Sequence, residues 1–78
     1  MKSQEFISLL EEAKANVGNE YPLKNKMSLY FDQNRWSLES KEMIFGFDNY
    51  KLEGEGISLF VNGSYLGLID PQQMKRVV

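Results

Sequence analysis

The chain has no cysteine and no histidine among its 78 residues. It therefore cannot form a disulfide, a thiolate nucleophile, a Cys/His zinc site or an imidazole acid–base pair. No apolar run approaches the ~20 residues that a membrane-spanning helix needs. Met1-Lys2 is followed by the polar Ser3, Gln4 and Glu5 rather than by the apolar stretch of a secretory leader. Together with the missing cysteines, which suit a reducing compartment, this sets the cytoplasm as the expected location.

An excess of positive charge is also missing. Nine basic residues stand against eleven acidic ones, a net charge of −2. A protein that grips phosphate backbones needs a basic footprint. The charge is unevenly spread: Lys24, Lys26, Arg35 and Lys41 outweigh Asp32 and Glu39, whereas Glu42, Asp48, Glu53, Glu55 and Asp70 outweigh Lys51. Such asymmetry can orient a partner, although a mixed, solvated surface accounts for it as well.

What the chain does contain is enough apolar material for one core. Hydrophobic residues make up 42% of it and aromatic residues 13%. This length supports a single small globular domain over residues 1–78. A compact fold of this mass exposes roughly 5,000 Å². Apolar burial at ~25 cal/mol per Å² and an ordering cost of ~1.5 kcal/mol per residue then nearly cancel. Such a domain has few apolar residues to spare from its core.

Phe6, Leu9, Leu10, Ala13 and Val17 recur at helical spacing, and Glu5, Glu11, Glu12 and Lys14 fall mostly elsewhere on the wheel. The pattern predicts an amphipathic helix from Ser3, a suitable N-cap, to Val17, stopped by Gly18. Asn19 to Asn25, with Pro22, reads as a connection. From Met27 the hydrophobic period becomes two, and three pairs of turn residues set the strand register. A turn at Gln33-Asn34 places Phe31 opposite Trp36, Leu29 opposite Leu38, and Asp32 opposite Arg35 as an ion pair. A turn at Asp48-Asn49 places Phe47 opposite Tyr50 and Phe45 opposite Leu52. The type I′ signal Asn62-Gly63 places Val61 opposite Ser64, Leu59 opposite Leu66 and Ile57 opposite Leu68. Ser40 to Glu42 and Gly54-Glu55-Gly56 separate the hairpins. Asp70-Pro71 with Gln73 carries the marks of a helix start, so a short C-terminal helix bearing Met74 and Val77 follows.

The fold expected from these signals is α+β. The N-terminal amphipathic helix packs on a twisted antiparallel sheet of five or six strands, a hairpin meander, followed by the short C-terminal helix. Its inner sheet face comprises Met27, Leu29, Phe31, Trp36, Leu38, Phe45, Phe47, Leu52, Ile57, Leu59, Val61, Leu66 and Leu68. Tyr30, Ile44, Lys51, Phe60 and Tyr65 fall on the other face, with Phe60 directly opposite Tyr65. Rings on an open sheet face give stiff contact area, and tyrosine adds an orienting hydroxyl. The same rings would instead form a minor core if the C-terminal helix covered them or the sheet curled into a partial barrel.

Those five residues are the candidate partner-binding site. The expected function is a non-catalytic protein-binding module: a small regulator, adaptor or inhibitor. It would use the aromatic face or an exposed sheet edge, with another protein as partner or with a homodimer formed through an edge. A second class is a platform that stacks single-stranded nucleic acid on its rings, but Glu53 shares the strand and face of Lys51 and weakens it. A third is a carboxylate enzyme drawing on Glu11-Glu12, Glu39, Glu42 or Glu53 and Glu55, whose spacing suits solvated surface better than catalysis. Gly54-Glu55-Gly56 precedes no helix and reads as a turn, not a phosphate cradle. Neither a cofactor nor a metal is expected.

Overall fold

A computed structural model describes residues 1–23 and 26–73. Helix α1 (Ser3–Ala15) is followed by seven strands: β1 (Tyr21–Leu23), β2 (Met27–Asp32), β3 (Arg35–Glu39), β4 (Ile44–Phe47), β5 (Asn49–Glu53), β6 (Gly56–Val61) and β7 (Ser64–Ile69). They form two antiparallel sheets, β1-β2-β3-β4 and β5-β6-β7, rather than the single sheet of five or six strands that the turn signals suggest.

The helix turns Phe6, Leu9, Leu10 and Ala13 into the core as its spacing requires, but it stops two residues early. Asn16 closes it by donating its side-chain amide to the Glu12 carbonyl at 2.9 Å, and Val17 is left exposed. Gly18, at φ +90°, then donates its N–H to the Phe31 carbonyl at 3.0 Å and directs the chain onto β2. Ser3 does not cap the helix. It is the first helical residue, and its hydroxyl donates to the Glu55 carbonyl at 2.6 Å, tying the helix start to the β5–β6 turn.

The supposed connection after the helix contains β1, in which Tyr21 pairs with Leu29 and Leu23 with Met27. Tyr21 and Leu23 are buried and Pro22 is exposed between them, which a proline tolerates only on an edge strand. The Gln33-Asn34 turn is two residues long, with both residues at positive φ, and the pairs Phe31–Trp36 and Leu29–Leu38 stand as the pattern requires. Asp32 faces Arg35 but forms no ion pair with it, and its carboxylate accepts the Gln33 N–H at 2.9 Å.

At Asp48-Asn49 the chain does not reverse, so Phe47 does not face Tyr50 and Phe45 does not face Leu52. Neither turn residue adopts the positive φ that a two-residue hairpin loop requires. Asp48 donates its N–H to the Phe60 carbonyl at 3.0 Å and accepts the Asn62 N–H on Oδ2 at 3.0 Å. These bonds fix a bend at Asp48 as the chain leaves one sheet and enters the other. On one side of the corner β4 pairs with β3, and on the other β5 pairs with β6.

The Asn62-Gly63 turn forms as expected and sets Val61 against Ser64 and Phe60 against Tyr65. Beyond those pairs a β-bulge inserts Leu66, so Leu59 faces Gly67 and Ile57 faces Ile69. A one-residue slip exchanges the faces of all side chains beyond it. Ile69 therefore packs on the core, and Leu66 and Leu68 leave the inner list. Phe45 and Leu52 leave it too, both exposed at the sheet margins.

At the start of the expected C-terminal helix the last described residues, Pro71–Gln73, form a 3-10 turn rather than an α-helical one, with Asp70 Oδ1 accepting the Gln72 N–H at 3.0 Å. Pro71 is fully buried, and the turn packs beside α1. Met74 and Val77 lie outside the described residues.

At the centre of the molecule Trp36 stacks on Phe47, with centroids 5.5 Å apart, and meets the edges of Phe31 at 5.0 Å and Tyr50 at 5.4 Å. The exposed surface is 5173 Å², near the value expected of a compact chain of this mass. Among the described residues no helix is long and apolar enough to cross a membrane.

Candidate functional site

The sheet corner at Asp48 divides the five candidate residues between the two sheets. Tyr30 and Ile44 lie on the first: Tyr30, half-buried, pairs with Ser37, and Ile44, exposed, pairs with Glu39 at the margin. Lys51, Phe60 and Tyr65 lie on one face of the second, because Lys51 faces Ser58 and Phe60 faces Tyr65. The two rings meet edge to face, 5.8 Å apart at 64°. Phe60 is half-buried, whereas Tyr65 is 63% exposed. The Lys51 ammonium lies 3.9 Å from a Glu53 carboxylate oxygen, so its charge is locally answered.

Sequence reasoning missed the apolar margin beside this face. Phe45 at 38%, Leu66 at 40% and Leu68 at 58% are exposed. With Leu59, Gly67 and Ile69 they line an open apolar cavity of about 170 Å³ where β4 and β7 border it. Leu66 reaches this margin only because of the bulge. One readable signal was available: from Gly56 to Ile69 no residue carries a charge.

Each sheet edge offers unpaired backbone amides, and proteins guard such edges with proline, charge or shortness. β1 is three residues long and contains Pro22. β5 carries Lys51 and Glu53. β4 is uncharged but only four residues long. β7 has six residues, with neither a charge nor a proline. It is the unguarded edge of the fold.

The carboxylates offer little chemistry. Glu11 accepts the Tyr50 hydroxyl, whose pKa is pushed up to about 12, first by burial and then by the bond to Glu11 and its negative charge. Both residues serve the contact between helix and sheet. Among the described residues no three acidic side chains stand close enough to hold a metal ion. No family model, curated protein or solved structure matches the chain.

Proposed function

We propose that this chain is a non-catalytic protein-binding module of the cytoplasm, a small regulator, adaptor or inhibitor. It captures an extended segment of its partner as an added strand on β7. The observation that carries this reading is the unguarded β7 edge beside the exposed side chains of Phe45, Leu66 and Leu68. A domain this small has little apolar surface to spare, and here that surface stands beside open backbone amides. In strand addition the main-chain bonds supply affinity and adjacent pockets read alternate side chains. The cavity at Gly67 and Leu68 provides such a pocket, and Tyr65 and Phe60 add a pair of rings near the other end of β7. Stacking of nucleic acid on those rings is the poorer fit, because Glu53 answers the nearby Lys51 charge.

The test uses isotope-labelled protein in unlabelled cell extract, followed by its amide resonances. Shifts or broadening confined to 64–69 and the facing Phe45 are expected, and they should vanish in a Leu66→Lys/Leu68→Lys variant. Changes centred on α1 instead, or none at all, would contradict the reading.

A further inference from the structure

We infer that Asn62 is a site of self-modification: its side-chain amide is lost by spontaneous deamidation through attack of the Gly63 backbone nitrogen, and the product loosens the β6–β7 hairpin. The inference is independent of what β7 binds.

The chemistry needs an unhindered nitrogen beside a free carboxamide, with water as the only co-reactant. The Gly63 nitrogen, giving up its proton to hydroxide, bonds to the Asn62 side-chain carbonyl carbon. The bond from that carbon to the amide nitrogen breaks, ammonia leaves and a cyclic imide remains. Water opens the ring at either carbonyl and yields aspartate or isoaspartate, the latter with the main chain routed through the side-chain carbon.

Of the six asparagines only Asn62 precedes a glycine. A side chain on the following residue crowds the attacking nitrogen, and each of the other five has one there. Two are restrained further. Asn16 donates its carboxamide to the Glu12 carbonyl, and Asn49 Oδ1 accepts the N–H of Tyr50, the nitrogen that would attack, at 2.9 Å. At the hairpin tip both turn residues are exposed, and a Cβ built at Gly63 has no atom within 4 Å. Among the described residues the Asn62 carboxamide has no hydrogen-bond partner. The turn demands this labile pair, since it holds Asn62 at φ +51° and Gly63 at φ +81°.

Either product sets a carboxylate beside that of Asp48, whose Oδ2 accepts the Asn62 N–H at 3.0 Å, so like charges meet at the sheet corner. Isoaspartate also lengthens the main chain of a two-residue turn whose length fixes the pairs Val61–Ser64 and Phe60–Tyr65.

Ring closure requires the turn to open. A hairpin tip opens far more readily than the whole fold, so Asn62 in the folded protein should convert within roughly a hundredfold of its rate in the unfolded chain. Native protein is held at mildly alkaline pH, with and without denaturing urea, and sampled by peptide mass spectrometry. The mass change of NH2 replaced by OH should appear at Asn62 before any other asparagine, at a rate proportional to hydroxide. Asn62→Gly, which accepts the positive φ and carries no carboxamide, should abolish it in the hairpin peptide. Converted protein, separated by anion exchange, should unfold at a lower urea concentration than unconverted protein. First conversion at another asparagine overturns the inference, as does a mass change that persists in the Asn62→Gly peptide. So does a folded-state rate more than a hundredfold below the unfolded one, which would tie the reaction to global unfolding. An unchanged urea midpoint overturns the loosening of the hairpin.

Discussion

The indole N–H of Trp36 donates to the Leu10 carbonyl at 2.8 Å, joining β3 to α1. The same indole stacks on Phe47 and lies 5.6 Å beneath the Lys14 ammonium. This side chain thus joins helix and sheet while satisfying its polar atom and burying its rings.

Trp36→Phe should lower stability by about 2–4 kcal/mol, since it removes a buried hydrogen bond and leaves unfilled space. The thermal midpoint, followed by circular dichroism, should fall by roughly 10 °C or more. A change of only a degree or two would mean that the indole does not join the layers.

Stability at high pH should depend on Tyr50. Its pKa is raised to about 12, first by burial and then by the Glu11 carboxylate. Folding therefore retains a proton that the unfolded chain releases near pH 10. The contribution is complete below pH 10 and declines as the pH rises through 10 toward about 12. Denaturant unfolding of Tyr50→Phe across this range should show a shallower loss than the native chain. Glu11→Gln should lie between them, because the first cause, burial, remains.

Asp48→Ala should cost about 1–2 kcal/mol through loss of the carboxylate bond to the Asn62 N–H. Chemical denaturation measures this directly. A neutral result would show that the corner between the sheets holds without that bond.

The bulge at Leu66 makes a prediction that separates two registers. With Leu66 inserted, Leu66→Ser and Leu68→Ser alter exposed positions and should change stability by no more than about 0.5 kcal/mol, whereas Leu59→Ala should cost about 2–5 kcal/mol. In an unbroken register Leu66 and Leu68 would face Leu59 and Ile57, and all these substitutions would be costly. Midpoints of the three variants decide between the registers.

Local chemistry made parts of this fold legible. The α1 face repeats at helical spacing, and the Gln33-Asn34 and Asn62-Gly63 turns carry residue types that accept positive φ. These turns correctly placed Phe31 against Trp36 and Phe60 against Tyr65. What escaped depends on distant partners. Asp48-Asn49 looks like a turn until its carboxylate meets Asn62, fourteen residues away. Tyr21 and Leu23 become a strand only because β2 is there to pair with them, and Pro22 conceals it. The candidate site divides for the same reason: Lys51, Phe60 and Tyr65 stay together within one sheet, and the corner assigns Tyr30 and Ile44 to the other. Edge status is a property of strand order, so the open flank of β7 is visible only after the sheets are assembled.

The central claim is that β7 receives an added strand, and residue-resolved amide exchange in the free and bound states tests it most directly. An antiparallel edge strand directs alternate N–H groups outward, so strand addition should slow exchange with a period of two along Ser64–Ile69, allowing for the bulge at Leu66. Protection on alternate residues is the predicted result. Unchanged exchange along β7 in the bound state, with protection appearing elsewhere, would contradict the account.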